Sequence, residues 1–162
     1  QFDELKYSDF KVLNSSKFDP SDYFDEVELR LLLWKFSFKI LDESHSWLLG
    51  VSPGDMQYRL NQQIILHNMY IGFPGSPTKG YFNYNVHNQY LETLLQLGIV
   101  GLSLLITLLY LLFREAWRKK NIILFIMLLA FACTFFTESV LERQFGIVPF
   151  FFFSSIFILG TE

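Results

Sequence analysis

From Leu94 to Phe113 the chain runs for twenty residues in which only Gln96, Ser103 and Thr107 are polar. At about 1.5 Å per helical residue this is enough to cross a hydrocarbon core of roughly 30 Å. Two shorter apolar runs follow, Asn121 to Thr137 and Phe145 to Gly160, the second containing the row Phe150-Phe151-Phe152-Phe153. The pattern predicts three membrane-spanning helices at about 94–113, 121–137 and 145–160. Between the first two lies Arg114-Glu115-Ala116-Trp117-Arg118-Lys119-Lys120, a short basic loop with an interfacial tryptophan, which marks the cytoplasmic side. Residues 1–93 and the connection 138–144 then share the opposite, outer face. A soluble protein with buried helices does not account for a twenty-residue span and four consecutive phenylalanines.

Upstream of the spans, the spacing predicts an amphipathic helix over about 21–43. Ser21 is its expected N-cap, and Asp22, Asp25 and Glu26 load its first turns with negative charge. Phe24, Val27, Leu31, Trp34, Phe38 and Leu41 form one apolar stripe, and Leu29, Leu32, Leu33, Phe36 and Ile40 form a second. Only a strip around Glu28, Lys35, Ser37 and Lys39 is left for water. Beyond Ser44, the glycine, proline and asparagine of Gly50–Gly54, Gly72–Pro77 and Gly80–Asn85 read as loops, whose tyrosines, phenylalanines and asparagines suit stacking and hydrogen bonding to sugars. Thus 1–93 reads as an outer loop segment and 94–160 as the membrane region of an all-α membrane protein.

Composition sharpens this picture. Hydrophobic residues make up 51% of the 162 residues and aromatic ones 19%, concentrated toward the C-terminal end. Residues 1–93 hold twelve acidic against eight basic residues, so nothing there invites nucleic acid. Cys133 is the single cysteine, which excludes a disulfide framework or a cysteine zinc cluster within the chain. The chain begins Gln1-Phe2-Asp3 with neither an initiator methionine nor a signal-peptide pattern, so it reads as a piece of a longer membrane protein.

The chemistry concentrates in Val86-His87-Asn88-Gln89-Tyr90-Leu91-Glu92, which leads straight into the first span. Asn85 is the expected cap of the helix carrying His87, and Gly98 and Gly101, on the same side, would let a neighbouring helix approach closely. An imidazole at this mouth sits where polar substrate, water and lipid meet, a position suited to a general base. A lone histidine at an interface is more often a local hydrogen-bonding residue. Arg30, one turn before Trp34, reads equally as an arginine extending its charge out of an apolar helix. Glu138 and Glu142, with Arg143 beside them, read either as an acid pair or as a solvated turn. His45 and His67 are too scattered to suggest a metal site. There is no P-loop, no H-E-x-x-H and no D-x-D.

In combination these residues resemble the O-antigen ligase and O-antigen polymerase superfamily of bacterial inner-membrane glycosyltransferases. Arg30-x-x-x-Trp34 followed by Ser46–Gly54 is similar to the family's arginine helix and glycine turn, with Trp47 and Ser52 in place of the usual proline and glycine. His87-Asn88-Gln89-Tyr90-Leu91 with Gly98-Ile99-Val100-Gly101 matches its histidine block, and Glu138–Gly146 is similar to its closing block. The resemblance implies a multi-pass inner-membrane protein with its active site facing the periplasm. It implies transfer of a glycan from undecaprenyl pyrophosphate to a sugar hydroxyl on a glycan or lipid A-core acceptor, with no metal or other cofactor. His87 would be the general base and Arg30 a pyrophosphate ligand, with Arg59 and Arg143 as further pyrophosphate candidates by location. Asn88, Tyr90, Glu138 and Glu142 would bind substrate or support the site. A non-catalytic membrane subunit that binds lipid-linked glycan or partner helices is the alternative.

Overall fold

The computed structural model describes residues 13–15, 17–73 and 79–159, and among these the chain is all helical, without a strand. Its α-helices are α1 (Glu26–Glu43), α2 (Pro53–Leu66), α3 (Gln89–Arg118), α4 (Ile122–Thr134) and α5 (Gln144–Leu159), with a 3₁₀ turn at Val140–Glu142 before α5. Part of the expected loop at Gly72–Pro77 and the end of the expected third span lie outside the described residues.

The first helix begins later than the composition of its N-terminus suggests. Asp25, rather than Ser21, is the cap: its carboxylate accepts from the Val27 and Glu28 N–H groups, while Glu28 reaches back to the Asp25 N–H. This reciprocal box satisfies donors that a helix start otherwise leaves open. Ser21 instead turns back on Asp19, to which its N–H and hydroxyl both donate. The second apolar stripe faces the core, with Leu32, Leu33 and Phe36 fully buried, whereas Val27 and Phe38 of the first stripe are exposed. Ser37 is buried rather than solvated because its hydroxyl donates to the Leu33 carbonyl, 2.8 Å away.

Two apolar clusters divide the molecule. One joins α1, α2 and the start of α3 through Phe36, Leu41, Leu60, Ile64, Val86 and Leu95. The other joins the far part of α3 to α4 and α5 through Leu105, Leu109, Leu128, Phe135 and Phe150. Among the described residues, α3 is the one helix long and apolar enough by length and composition to cross a membrane; α4 and α5 are shorter apolar helices. Leu104, Tyr110, Ile123, Ile126, Val148 and Phe152 present an exposed apolar surface on these three helices.

The long helix is broken at Gly98, whose φ of 66° and ψ of −165° interrupt it. The turn that follows α1 fills the break. Val51 and Ser52 donate their N–H groups to the Leu95 and Gln96 carbonyls, and Ile99 and Val100 donate theirs to the Trp47 and Leu48 carbonyls. Both helix ends created by the break therefore have backbone partners. It is this turn, and not a neighbouring helix, that Gly98 admits: a Cβ there would strike the Leu48 carbonyl, and one at Gly50 the Gln96 carbonyl. The uninterrupted apolar stretch accordingly begins at Ile99 rather than at Leu94.

Candidate functional site

His87 lies one residue before its helix. Asn88, rather than Asn85, is the cap, its side chain accepting from the Leu91 N–H at 3.0 Å. His87 itself adopts a φ of 52°, a left-handed conformation that a residue other than glycine holds only when its surroundings impose it. The surroundings do so from both sides. The Trp34 indole donates to the Val86 carbonyl at 3.0 Å, and the Val86 N–H donates to Glu92 Oε2 at 3.1 Å. The Arg30-x-x-x-Trp34 spacing thereby acquires a physical meaning: Trp34 fixes the backbone just before His87, and Arg30, one turn earlier, reaches the same site.

That site centres on Glu138. One carboxylate oxygen lies 3.3 Å from His87 Nδ1 and the other 3.4 Å from an Arg30 terminal nitrogen, which also meets Glu26 at 2.5 Å. The His87 and Arg30 side chains are each 22% exposed, enclosed yet reachable. Arg30 Nε is buried and without a hydrogen-bond partner among the described residues.

The segment carrying Glu138 is stitched to the start of α3 by the residues after His87. Asn88 donates to the Phe136 carbonyl, the Gln89 N–H to the Phe135 carbonyl, and the Tyr90 hydroxyl to the Ala132 carbonyl. The Leu141 N–H in return donates to the Gln89 side chain at 2.6 Å. Glu92, which the motif reading passes over, is fully buried: its carboxylate accepts from the Ser139 hydroxyl at 3.0 Å and from the Gln96 amide at 3.2 Å. The same Gln96 amide donates to Glu142 at 2.9 Å. Glu138 and Glu142 therefore do not form an acid pair. The 3₁₀ turn between them sends one toward His87 and the other toward Gln96.

One cavity is lined by Arg30 and His87, the partners of Glu138, and a second by Glu138 itself. The first, of about 310 Å³, is lined by Tyr23, Asp25, Glu26, Arg30, Tyr81, Tyr84 and His87, among others. The second, of about 360 Å³, is lined by Thr134, Glu138, Ser139, Arg143, Phe145 and neighbouring residues. Arg143 is exposed at its edge, while Arg59, on α2, lines neither. His67 is remote from this chemistry in kind: it is buried against Phe36 with ring centroids 4.5 Å apart, and Nδ1 lies 2.8 Å from the Gln63 carbonyl. Among the described residues no group of three His, Cys, Asp or Glu side chains is placed to hold a metal ion. Gly50-Val51-Ser52-Pro53-Gly54 has the letter spacing of a hydrolase nucleophile turn, but Ser52 caps α2 by accepting from the Asp55 N–H.

A half-buried histidine–carboxylate contact thus lies at the start of a long apolar helix, beside an arginine and two cavities. The O-antigen ligase family model matches residues 5–106, most of the chain, and the chain belongs to that family. The family implies a ligase or glycosyltransferase type of enzyme that acts on lipid-linked glycans and acceptors, and its members are typically inner-membrane proteins. No curated protein and no solved structure matches the chain. The matched stretch includes Arg30, Trp34, His87 and Glu92 and ends before Glu138, whose part in the site rests on geometry.

Proposed function

We propose that the chain carries the catalytic part of an inverting, metal-independent glycosyltransferase that moves a glycan from undecaprenyl pyrophosphate to a sugar hydroxyl. The observation that carries this reading is the contact of His87 Nδ1 with Glu138 at 3.3 Å. Donation from Nδ1 to the carboxylate leaves Nε2 as the proton acceptor and holds the ring in that tautomer, as in other histidine–carboxylate pairs. The acceptor oxygen bonds to the anomeric carbon, and its proton passes to Nε2. The bond from the anomeric carbon to the pyrophosphate oxygen breaks, and its electron pair leaves on the lipid pyrophosphate.

Growing negative charge on that leaving group calls for guanidinium donors. Arg143, at the edge of the cavity on the α5 side, is the main candidate; Arg30, the pyrophosphate ligand expected from the motif, lines the other cavity, where Glu26 and Glu138 engage it. Arg59 lines neither cavity. Asn88 and Tyr90 act as supports, tying the His87 segment to the end of α4. The exposed apolar faces of α3, α4 and α5 favour membrane insertion. The basic residues Arg114–Lys120 favour a cytoplasmic inner turn, which puts His87 on the periplasmic side.

The test supplies full-length protein in vesicles with an undecaprenyl-pyrophosphate-linked glycan. His87→Ala lowers turnover by about 10² to 10⁴, the usual worth of a positioned general base. Glu138→Gln lowers it by about tenfold or more through loss of the ring's orientation. Full transfer by His87→Ala returns the protein to the non-catalytic reading. A longer lipid-linked product identifies a polymerase, and glycan on a different acceptor identifies a ligase.

A further inference from the structure

We propose that the cavity walled by Tyr81, Tyr84, Tyr23, Glu26, Arg30 and His87 is the acceptor subsite, shaped for one sugar ring that carries no anionic group. The inference rests on the proposed transferase reading and adds which substrate enters which cavity.

Three observations converge. The first is the aromatic wall. The Tyr84 ring lies 6.0 Å from the His87 ring, and the Tyr81 ring lies 5.9 Å from that of Tyr84. Such faces take the C–H side of a pyranose while their edges stay open to hydroxyls. At about 310 Å³ the cavity is at the small end of ligand sites, which run from about 300 to 1,000 Å³, so it fits a single residue rather than a long chain.

The second is that the wall is built in advance of any ligand. Asn61 of α2 exchanges hydrogen bonds with Asn83, at 2.8 and 2.9 Å, and Gln57 donates to the Tyr84 carbonyl at 3.2 Å. The Tyr81 hydroxyl accepts from the Phe24 N–H at 3.1 Å, which pins the same loop to the start of α1. A loop held at both faces presents its rings at small ordering cost on binding.

The third is charge. Asp25 and Glu26 line this cavity, and Arg30, the one cation that lines it among the described residues, is already engaged by Glu26 and Glu138. Carboxylates accept readily from sugar hydroxyls and repel phosphates and uronic acids. The second cavity balances one acid, Glu138, with one cation, Arg143, and has Phe145 beside them, a lining that admits an anionic headgroup on a lipid tail more readily than the first. The neutral sugar thus sits beside His87 and the pyrophosphate in the cavity that Glu138 and Arg143 line, the two joined through the contact of Glu138 with His87.

The test is saturation-transfer NMR on full-length protein in detergent micelles. The probes are the methyl glycosides of glucose, galactose, mannose and N-acetylglucosamine, together with methyl glucuronoside. At least one neutral glycoside gives a signal, and the glucuronoside gives a weaker one. Tyr84→Ala weakens the neutral glycoside about tenfold, and Tyr84→Phe, which keeps the ring, recovers most of the binding. The proposal is overturned if none of the neutral probes binds, if the glucuronoside binds as well or better, or if Tyr84→Ala leaves binding unchanged. Because binding is read without turnover, these outcomes are separate from the His87→Ala transfer assay, which judges the underlying reading.

Discussion

The carboxylate of Glu92 accepts a hydrogen bond from the Ser139 hydroxyl at 3.0 Å, and with the same oxygen it accepts from the Val86 N–H at 3.1 Å. One buried atom therefore binds the residue before His87 to the residue after Glu138. The separation of the two catalytic candidates is set from behind, by a side chain that is not itself in either cavity.

Replacing Glu92 by Leu strips this support and leaves the Val86 N–H and the Ser139 hydroxyl buried without their acceptor. Each orphaned group costs about 1 to 3 kcal/mol. The expected result is a clear fall in melting temperature of the purified protein, together with a loss of transfer activity larger than the loss of folded material. Unchanged melting and activity would show that the two segments are held by other means.

Gly98→Ala is expected to be among the most damaging single-methyl changes in the chain. Its backbone angles belong to a region open essentially to glycine alone, at a strain of about 1 to 3 kcal/mol for other residues. The added Cβ also meets the Leu48 carbonyl, which is fixed by its bond from Val100. Gly54→Ala, where a Cβ finds open contact at 3.9 Å, is the matched control. Thermal unfolding of the two variants in one detergent checks the contrast, and equal melting points would refute the inserted turn.

His67 supplies a pH dependence that is separate from catalysis. Burial holds its pKa below the ordinary 6.5, against the opposing pull of the Gln63 carbonyl; Lys39 and Lys35 lower it further, and Glu43 raises it. Over the interval from about 6.5 down to the lowered value, the unfolded chain binds the proton that the folded one refuses. Stability from this group is therefore fully present above that interval and is lost as pH falls through it. Melting temperature followed from pH 7 to below 6, as an order-of-magnitude window, should decline in the wild type and decline less in His67→Gln.

The parts of this fold that were legible in the sequence are those governed by local pattern. A run of twenty residues from Leu94 with only three polar members announces a long helix, and the stripe through Leu29, Leu33, Phe36 and Ile40 announces the buried side of α1. The His87–Leu91 and Arg30–Trp34 motifs point to residues that the fold does bring to one place. What escaped depends on partners far away in the chain. Glu92 reads as an ordinary acidic residue in a first helical turn, because nothing near it in sequence reveals Ser139. The glycine at position 98 reads as a small residue for helix packing, because its true guest is the turn at Trp47–Ser52. Asn85 and Asn88 are equally good caps by residue type. The choice between them follows from the left-handed backbone at His87, which a periodicity argument does not see.

The turn lodged in the broken helix also bears on how the protein can be taken apart. Leu95, Gln96, Ile99 and Val100 find their backbone partners in residues 47–52, so the segment before α3 completes the N-terminal part of the apolar helix. Severing the chain between residues 93 and 94 would yield neither a detachable soluble module nor a self-sufficient anchor. Each piece would keep half of a hydrogen-bonded joint, and the two would have to be made as one unit.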